Sequence, residues 1–506
     1  MLKRVFKFLR AVRRPVTCWR GAASLGNEEM PLPNKYENFN EWYNEILQKA
    51  ELIDLRYGVK GFIVYRPNAT VIMREIYRLF EKELDRLKHS PCIFPVVIPL
   101  EFFEKEARHI KGFLNEVFWI MRAGQHELNK PLVLRPTSET AMYPLYAFWI
   151  RSYKDLPLKL YQSNSVYRYE TKATKPLLRG REFYWIEAHC AHRTKEDAER
   201  QVLEDMEVMS KALHEVLGVP FLLLERPPWD RFAGAERTYA FDVLFPDKSV
   251  LQIATTHILG ENFSRAFEIV YKDVDGTLKY VQQTCFGIGI SRILATLISV
   301  HGDEYGLVLP FDIAPTQVVI IPILFKDVGK VVMEKCRALF ERLKNEGYRV
   351  VLDDSDDRPG AKFYRWEILG VPVRIEVGPK DVERGMVTLF RRDTRERIIV
   401  EEKDVERKIE ELRRDILRVL RERGEKCLKE SLRDVKNRDD LMKLAREGGI
   451  GRMAFCGREE CASEIKAETE GFEVRGVRVN EKWGKLGVCA ACGKEAKEIV
   501  YVAKPY

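Results

Sequence analysis

Two short stretches of the chain carry side chains suited to binding a phosphorylated nucleotide. In VYRYE, Arg168 and Glu170 stand two residues apart, and in LLRGREFYWIEAH (177–189), Arg179 and Phe183 stand four apart. Side chains alternate between the two faces of a strand, so each pair should share one face. Arginine offers a planar fork to phosphate oxygens, an aromatic ring stacks on a base, and a carboxylate accepts from a base amino group. The two stretches therefore predict a nucleotide site.

The second stretch extends the same face with Trp185, Glu187 and His189. The alternative interpretation is a solvated sheet face whose ion pairs each contribute little to stability. Two neighbouring aromatic rings, Phe183 and Trp185, favour a ligand-binding surface, because clustered apolar groups on a surface usually bind or cover something.

A glycine pair farther along, in CFGIGISR (285–292), is predicted to lie where a strand passes into a helix. The dinucleotide-binding fingerprint needs a third glycine at the position of Arg292, which disfavours a Rossmann site. Gly287 and Gly289 instead indicate close backbone packing at a helix start, which would direct Arg292 towards a second phosphate.

The elements that must position these residues follow from the hydrophobic pattern. Pro95, in a β-rich run at 92–100, forbids a fully paired central strand there. Strands are predicted at 158–168, 181–190, 251–256, 266–271 and 280–285, and helices at 70–88, 196–217 and 291–300. Successive strands with few intervening helices predict an antiparallel sheet flanked by helices, an α+β fold.

The pattern changes after PFDIAP (310–315), where strands and helices alternate. Strands are predicted at 317–323, 349–353, 373–377 and 386–391, with helices at 328–345 and 361–369 and a long charged helix at 401–423. Such alternation is typical of a small, largely parallel α/β domain. We therefore divide the chain into a basic extension at 1–29, an α+β domain at 30–315, an α/β domain at 316–405 and a C-terminal domain at 406–506.

Four cysteines near the C-terminus have the spacing of a metal site. They form two pairs, Cys456-x4-Cys461 and Cys489-x2-Cys492, with 27 residues between the pairs. Two such pairs can direct four thiolates at one tetrahedral Zn²⁺, and four protein ligands leave no open position, so the ion is expected to stabilise the fold. Free or redox-active cysteines are the alternative. The acidic run DDSDD (353–357) is interpreted as a solvated turn rather than a metal site.

Composition excludes several classes of protein. With 45% hydrophobic and 32% charged residues, the chain is typical of soluble globular proteins and not of disordered or coiled-coil ones. No segment approaches the roughly 18 apolar residues of a membrane-spanning helix, so no membrane partner is expected. Ten cysteines in 506 residues do not suggest a secreted disulfide scaffold, and the expected compartment is the cytoplasm.

Residues 1–29 are unusually basic, with seven Lys or Arg and two Glu. They are similar to an organelle transit peptide or a membrane-surface helix. The preferred interpretation is an upstream start codon, because Met30 opens an ordinary-looking domain.

Taken together, these segments resemble the class II aminoacyl-tRNA synthetases. VYRYE, LLRGREFYWIEAH and the run from Gly287 to Arg292 are similar to motifs 2 and 3 of that class. LRPTSET (134–140), FAG (232–234), HGDEYGLVLP (301–310) and WEILGVPVRIEVGPKD (366–381) resemble the prolyl-tRNA synthetases of archaeal and eukaryotic type. The resemblance covers residues 31–506. It implies a class II antiparallel-sheet catalytic core, an α/β anticodon-binding domain and a small C-terminal zinc-binding domain.

The resemblance also implies an activity: ATP-dependent ligation of L-proline to tRNA(Pro). A prolyl-adenylate forms first, and the prolyl group then passes to the 3′-terminal adenosine. The implied ligands are ATP with Mg²⁺, a structural Zn²⁺, and both the acceptor end and the anticodon loop of the tRNA. A homodimer is implied as well, through the segment around Pro95. Only 95 residues separate His189 from Cys285, too few for the editing insertion of many bacterial relatives.

Individual site residues are carried over from the same resemblance. Arg168 and Arg292 are the implied catalytic residues. Those implied for ATP are Arg168, Glu170, Arg179, Phe183, Gln252, Thr255, Gly289 and Arg292, and those for proline are Thr137, Glu139, Arg168, Trp185, His189, Phe232 and His257. Glu170 would read the adenine amino group, Phe183 would stack on the base, and Thr137 and Glu139 would hold the imino-acid nitrogen. Gln252 and Thr255 fall where the family contacts ATP and magnesium.

Alternatives remain open at several of these positions. Thr137 also suits the N-cap of a helix before Ala141, and His257 a hydrogen-bonded core histidine. The helix at 361–369 offers several candidate anticodon readers, namely Lys362, Phe363, Arg365, Trp366 and Glu367. The activity could instead concern another amino acid. A non-catalytic tRNA-binding paralogue would be expected to lack Arg168, Glu170 or Arg292, and all three are present.

Overall fold

The computed structural model describes residues 31–107, 115–324 and 329–506, and the extension predicted at 1–29 lies outside the described residues. Residues Leu32–Tyr506 form one compact unit. Up to residue 301, the elements in chain order are α1 (Phe39–Lys49), β1 (Ile53–Asp54), β2 (Val64–Tyr65), α2 (Pro67–Arg86), β3 (Ser90–Pro91), β4 (Val97–Pro99), α3 (Leu100–Ala107), β5 (Trp119–Ala123), β6 (His126–Leu134), α4 (Glu139–Trp149), β7 (Leu158–Tyr167), β8 (Glu182–His192), α5 (Lys195–Met209), β9 (Leu222–Glu225), β10 (Arg237–Leu244), β11 (Val250–Gly260), α6 (Asn262–Ala266), β12 (Val270–Lys272), β13 (Leu278–Tyr280), β14 (Gln282–Ile288) and α7 (Ile290–His301).

The rest of the chain alternates helices and strands more regularly. Its elements are β15 (Val318–Pro322), α8 (Gly329–Asn345), β16 (Val350–Leu352), α9 (Pro359–Ile368), β17 (Val373–Val377), α10 (Pro379–Arg384), β18 (Met386–Arg391), β19 (Arg397–Glu401), α11 (Val405–Ser431), β20 (Leu432–Val435), α12 (Arg438–Glu447), β21 (Ile450–Phe455), α13 (Glu459–Glu468), β22 (Glu473–Arg478) and β23 (Glu498–Ala503). Among the helices of the described ranges, none combines the length and apolar character needed to cross a bilayer.

An eleven-stranded sheet is the main scaffold, with strand order β20-β21-β23-β22-β9-β10-β11-β14-β8-β7-β3. Its central strands, from β9 to β7, pair antiparallel, as the α+β interpretation predicted. Along β8 the side chains alternate: Ile186 and Ala188 pack in the helix-covered core, whereas Trp185, Glu187 and His189 line a cavity on the other face. The predicted side-chain alternation on this strand is confirmed.

A separate five-stranded sheet, β16-β15-β17-β18-β19, forms the α/β region. It is less parallel than predicted: β15 pairs parallel with β16 and β17, but β17–β18 and β18–β19 are antiparallel. For β18–β19 the reason is their connection, a short turn at 392–396, because a parallel pair would need a crossover of a dozen or more residues.

Two predicted elements differ from those observed. The strand predicted at 266–271 begins as a helix, α6, because β11 continues to Gly260, whose φ of 59° ends the strand. The helix predicted to end at 423 continues to Ser431. Gly424 does not interrupt it, because Gly424 lies where the helix contacts Pro220, only 2.8 Å from where a Cβ would stand. The short strands β9 and β10 and the hairpin β5–β6 were not predicted.

The C-terminal region joins the large sheet directly. Strand β22 pairs antiparallel with β9, with Val477 opposite Glu225. The backbones approach so closely that a Cβ at Gly476, whose φ is 125°, would lie 2.0 Å from the carbonyl oxygen of Glu225. A glycine is therefore required for this junction. The division into domains at 315 and 405 stays a prediction.

Candidate active site

A cavity of about 340 Å³ opens on one face of the large sheet. It contains every residue predicted for the nucleotide and the amino acid: Thr137, Glu139, Arg168, Glu170, Arg179, Phe183, Trp185, His189, Phe232, Gln252, Thr255, His257, Gly289 and Arg292. Residues up to 155 positions apart in sequence are thus brought to one surface. The four predicted cysteines lie elsewhere, in the C-terminal region.

Three neighbouring strands form the floor of the cavity by direct cross-strand pairing. Thr255 on β11 lies opposite Gly287 on β14, which lies opposite Glu187 on β8. Since Gly287 has no side chain, the ring of Trp185 can approach to 3.5 Å from where a Cβ would stand. One step along the strands, His257, Cys285 and His189 form a parallel row.

Arg168 and Glu170 face the cavity for a reason that differs from the one predicted. Strand β7 ends at Tyr167, so neither residue belongs to it. The N–H of Arg168 donates to the carbonyl of Arg181 at 3.0 Å, and the N–H of Glu170 donates to the carbonyl of Arg168 at 2.7 Å. A tight turn, not strand alternation, therefore directs both side chains. Arg179 also precedes its strand, and its N–H donates to Lys175 at 2.9 Å.

Three guanidinium groups concentrate positive charge at this end of the cavity. Arg292 donates from Nη1 to the carbonyl of Gln252 at 2.7 Å and from Nε to the carbonyl of Leu178 at 3.1 Å. Burial, together with the nearby charges of Arg168 and Arg179, lowers the pKa of Arg292 to about 10. Mutual repulsion among these partly buried cations favours a polyanionic ligand, because its charge would relieve that repulsion.

Two aromatic rings, those of Phe183 and Trp185, lie beside these arginines and are called the aromatic plate. The guanidinium of Arg168 lies over the ring of Phe183 at 5.2 Å and over that of Trp185 at 5.6 Å. The two rings meet edge to face at 5.8 Å. The carboxylate of Glu170 lies 3.9 Å from Nε of Arg179 and accepts from the N–H of Lys172 at 3.0 Å. The arrangement suits a base stacked on a ring with its phosphates among guanidiniums.

Gly289 is the N-cap residue of α7, as predicted for a helix start with close backbone packing. Its N–H donates to the carbonyl of Ile253 at 2.9 Å, and a Cβ at this position would lie 2.9 Å from the same oxygen. The helix start therefore stays against β11, which places Arg292, three residues farther on, at the cavity. This prediction is confirmed.

Glu187 is the hub of a buried hydrogen-bond network under the cavity. Its carboxylate accepts from the N–H of Ser138 at 3.2 Å, from Gln162 Nε2 and Asn164 Nδ2 at 2.9 Å each, and from His189 Nε2 at 3.1 Å. The hydroxyl of Ser138 donates to it as well. Burial alone would raise the pKa of Glu187, but these donors lower it below its usual value. The carboxylate therefore stays ionised and fixes the loop before α4.

Thr137 in that loop and Glu139, the first residue of α4, are both almost completely buried and are joined to each other by a hydrogen bond. Ser138, not Thr137, is the N-cap residue of α4, and its side chain makes no capping bond. The alternative interpretation of Thr137 as an N-cap is therefore wrong. Its hydroxyl and the Glu139 carboxylate both face the cavity.

His257 is both a hydrogen-bonded core histidine and a residue of the cavity wall, the two alternatives that the sequence left open. Its Nδ1 is bonded to Thr238 Oγ1 at 2.9 Å and its Nε2 to Thr255 Oγ1 at 3.0 Å, while its ring lies 4.9 Å from that of Phe232 at the cavity wall. Burial, with a smaller effect of His189, lowers the pKa of His257 to about 3. The imidazole is therefore neutral and forms part of an apolar wall.

Several cavity residues were missed by the sequence prediction. Thr238 lies on β10, a strand that the sequence did not predict, and Asp230 lies in the short helical turn between β9 and β10. Cys285 lies at the floor between the two histidines, and its place in the CFGIG run was the only signal that could have identified it.

The four predicted cysteines meet in the C-terminal region. The sulfurs of Cys456, Cys461, Cys489 and Cys492 all lie within 4.8 Å of one another. Cys461 and Cys489 are separated by 3.9 Å, and Cys456 and Cys492 by 3.7 Å. Sulfurs placed tetrahedrally about 2.3 Å from one ion lie about 3.8 Å apart, so the cluster fits Zn²⁺. It is the one metal-binding group of three or more ligands found in the described part of the chain.

The acidic run at 353–357 and the helix beside it are partly structural. Asp353 is buried and accepts from Trp366 Nε1 at 2.7 Å, while the Lys362 ammonium donates to its carbonyl at 2.9 Å. Asp353 is thus not part of a solvated turn. Two of the candidate anticodon readers, Lys362 and Trp366, already have buried partners, so they are poor readers of an external base.

The antiparallel sheet, the arginines around one cavity and the aromatic plate together define a class II aminoacyl-tRNA synthetase. Family models agree: "tRNA synthetase class II core domain (G, H, P, S and T)" matches residues 118–301, "Anticodon binding domain" matches 317–412, and "Prolyl-tRNA synthetase, C-terminal" matches 438–506.

Relatives that match almost the whole chain identify its family within the class II synthetases. The proline–tRNA ligase of Thermofilum pendens is 52% identical over 475 residues, covering 94% of this chain and 98% of the relative. That of Pyrococcus abyssi is 44% identical, covering 93% and 98%. The structure of Giardia lamblia prolyl-tRNA synthetase in complex with prolyl-adenylate matches with a TM-score of 0.91 at 37% identity, covering 94% of this chain and 100% of that one. The chain belongs to the prolyl-tRNA synthetase family.

The Glu187 network generates a stability prediction. Glu187→Gln places an amide N–H₂ among donors, so we expect it to lower the free energy of unfolding by about 2–3 kcal/mol. Burial alone would lower the pKa of His189, but its bond to Glu187 and the charge of Glu139 raise it above 6.5. The charged pair therefore contributes fully below about pH 6.5 and loses that contribution as the pH rises through the folded-state pKa.

Urea unfolding of both proteins at about pH 6 and about pH 8 measures this effect, and the difference between them should be larger at the lower pH. Glu182→Gln, at the half-exposed start of the same strand, is the matched control and should change stability little. Equal effects of the two substitutions would contradict the network's role.

Proposed function

We propose that this protein ligates L-proline to tRNA(Pro) in two steps. Proline and ATP first form prolyl-adenylate and pyrophosphate, and the prolyl group then passes to the 3′-terminal adenosine of the tRNA with release of AMP. The observation that carries the proposal is one cavity lined both by three arginines, Arg168, Arg179 and Arg292, and by the buried Glu139 carboxylate. Relatives covering almost the whole chain bear the same activity in their names.

The first step needs no protein nucleophile. A carboxylate oxygen of proline attacks the α-phosphorus in line, and the bond to pyrophosphate breaks. Negative charge then develops on the phosphate oxygens, where Arg168 and Arg292 act as fixed, pre-oriented cations. Arg168 is held by its Nε bond to the carbonyl of Pro136 at 3.1 Å, so little reorganisation is needed during the reaction.

We assign the ATP contacts from the side chains that face the cavity. Phe183 stacks on adenine, Glu170 accepts from its amino group, and Arg179 and Arg292 bind the outer phosphates. Gly289 lets the helix start lie close to the nucleotide, and Thr255 offers a hydroxyl at the cavity floor. ATP enters as its magnesium complex, in which the ion neutralises phosphate charge.

Gln252 is a poor match for a ligand of that magnesium ion. Its carbonyl oxygen accepts from Arg292 at 2.7 Å and its Oε1 accepts from Arg226 at 2.9 Å. Two arginines beside both oxygens repel a cation. We therefore assign Gln252 to a phosphate, through its amide N–H₂.

We assign the other end of the cavity to proline. Its secondary ammonium would lie between the Thr137 hydroxyl and the Glu139 carboxylate, with its carboxylate towards Arg168. Trp185, Phe232 and the neutral His257 provide the wall for the pyrrolidine ring, and His189 holds Glu187 beneath it. A neutral histidine is required here, because an imidazolium would repel the substrate ammonium.

The tRNA would bind both at the cavity and at the five-stranded region, whose residues 317–412 match an anticodon-binding domain. Between β8 and β14 the chain forms α5, its π-helical continuation at Ser210–Val216, a short helical turn at Pro228–Asp230, α6 and β9–β13. All of these belong to the compact unit, so editing by an inserted domain is not expected. We propose the cytoplasm as the compartment, since all nine cysteines of the described ranges are free.

Two other functions are alternatives to the ligation of proline. A synthetase for a different amino acid would share the ATP end and differ at the proline end. A non-catalytic paralogue is disfavoured, because Arg168, Glu170 and Arg292 all face one cavity.

Arg168→Ala tests the site. We expect loss of proline-dependent ATP–pyrophosphate exchange by at least about 10³-fold, since a buried charge opposite the developing oxyanion is removed. Arg193→Ala, which removes an exposed partner of Asp273 beyond the far end of β8, is the matched control and should retain exchange. Unchanged exchange in Arg168→Ala would refute the site, and a panel of amino acids with the wild-type protein would reveal a substrate other than proline.

We propose a structural Zn²⁺ at the four cysteines. Protein purified without chelator should contain about one zinc per chain by atomic emission, and Cys461→Ser should lose it and unfold at a lower temperature. Cys427→Ser, at an exposed cysteine outside the cluster, is the control and should keep the metal. Zinc-free wild-type protein of unchanged stability would contradict this assignment.

We also propose a homodimer through the segment that follows β3. Ile93 is 95% exposed, and the neighbouring Phe148 and Trp149 are 66% and 47% exposed, with Phe94 packed against Trp149 at 5.9 Å. Such a cluster of apolar side chains favours burial against a second copy. Ile93→Asp should shift the mass measured by light scattering from dimer towards monomer, whereas Leu203→Asp, 58% exposed on α5, should not. A monomeric wild-type protein would refute the dimer.

A further inference from the structure

The side-chain amide of Gln252 is oriented by an arginine that does not line the cavity. Nη2 of Arg226 donates to Oε1 of Gln252 at 2.9 Å. Because arginine has only donors, the amide atom facing it must be the oxygen. The N–H₂ group of Gln252 is therefore left to face the cavity, where the phosphates of ATP are assigned. Without this bond the amide could turn and present its oxygen to a phosphate, which would be repulsive.

Arg226 is itself held rigidly. It lies directly after β9, is 1% exposed, and donates from Nη1 and Nη2 to the two carboxylate oxygens of Asp242 at 3.0 and 2.7 Å. Its Nε lies 3.4 Å from Oδ2 of Asp230. A buried side chain with a bidentate partner keeps one orientation, so its remaining bond to Gln252 has a fixed direction.

The same carboxylate receives a second arginine, from the C-terminal region. Arg475 on β22 donates from Nε and Nη2 to Asp242 at 3.0 and 3.3 Å, and its carbonyl accepts from Nη1 of Arg226 at 2.6 Å. Burial alone would raise the pKa of Asp242, but the two guanidiniums outweigh it and hold the pKa well below its usual value. Asp242 is thus ionised and bridges the two arginines.

The pairing of β22 with two neighbouring strands places Arg475 beside Asp242. The preceding section of β22 pairs with β23, and the residue after Arg475 is Gly476, at the close approach of β22 to β9. Any larger residue would separate the strands and move Arg475 away from Asp242. The C-terminal region is therefore connected to the ATP end of the cavity by three consecutive ion-paired or hydrogen-bonded contacts.

We propose that Arg226 is a positioning residue for ATP: Arg475 and Asp242 fix Arg226, and Arg226 fixes the amide of Gln252 with its N–H₂ towards the triphosphate. This rests on the proposed function only in taking ATP as the ligand. Arg475 would thus support nucleotide binding indirectly, through Asp242, Arg226 and Gln252, and not by contacting the nucleotide itself.

Arg226→Lys is the main test. A lysine ammonium can pair with Asp242 but cannot also hold Gln252 through a planar fork. In proline-dependent ATP–pyrophosphate exchange, we expect the KM for ATP to rise about tenfold and the KM for proline to stay within about twofold. Arg475→Lys should change the KM for ATP in the same direction by a smaller factor. Arg237→Lys, on the adjacent β10 and paired with the half-exposed Glu225, is the matched control and should change neither constant.

A double variant distinguishes a positioning role of Arg226 from a general loss of stability. If Arg226 acts through Gln252, then Arg226→Lys should have no further effect on the KM for ATP in a Gln252→Ala protein. A persistent effect there, or equal changes in both KM values of the single variant, would overturn the proposal. ATP affinity is also measured by calorimetry without proline, so that the relay is tested even if the wild-type protein activates another amino acid.

Gln252→Glu covers the case in which Arg226→Lys does not fold. The glutamate keeps the size of the side chain and can still accept from Arg226, but it presents an oxygen instead of N–H₂ to the phosphates. We expect ATP affinity to fall by at least about tenfold. Unchanged affinity for ATP in this variant would show that the orientation of the amide does not matter and would overturn the proposal.

Discussion

The structure depends on keeping several guanidinium groups close together around one partly buried cavity. Arg168, Arg179 and Arg292 repel one another and lose solvation, and both effects cost free energy. The arrangement persists because the guanidiniums of Arg168 and Arg292 donate to backbone carbonyls, those of Pro136, Leu178 and Gln252. Carbonyl groups of this kind cannot move without disrupting the strands and turns around them, so a rigid sheet is needed under the charge.

The cavity holds buried and partly buried charges of both signs. Arg168, Arg179 and Arg292 line it with the carboxylate of Glu170, and the buried carboxylates of Glu139 and Glu187 line it as well. His257, also at the cavity, is neutral, since burial lowers its pKa to about 3. Under the proposed function, the proline ammonium would lie at Glu139 and its carboxylate at Arg168, so these charges would orient the substrate for the reaction.

The C-terminal region takes part in this arrangement because it shares the sheet. Strand β22 continues the hydrogen-bonded ladder past β9, and Gly476 permits the close approach. The region also reaches the cavity at a second point, where the carbonyl of Tyr506 accepts from Nη2 of Arg179 at 3.3 Å. The four clustered cysteines belong to the same C-terminal region, so the proposed zinc would support these contacts indirectly.

A family resemblance in the sequence supplied most of the cavity residues, but not Thr238, Asp230 or Cys285. The sequence alone determined the alternation along β8, the helix start at Gly289 and the spacing of the four cysteines. These are local properties: strand period, backbone conformation and metal-ligand geometry act within a few residues of each other. Only the tertiary structure decided why Arg168 and Glu170 share a direction, since their turn depends on a bond to Arg181. It also decided that Lys362 and Trp366 are internal and that Arg226 and Arg475 meet at Asp242. Such contacts join residues up to 249 positions apart, and nothing in the local pattern of either partner encodes which distant strand will lie beside it.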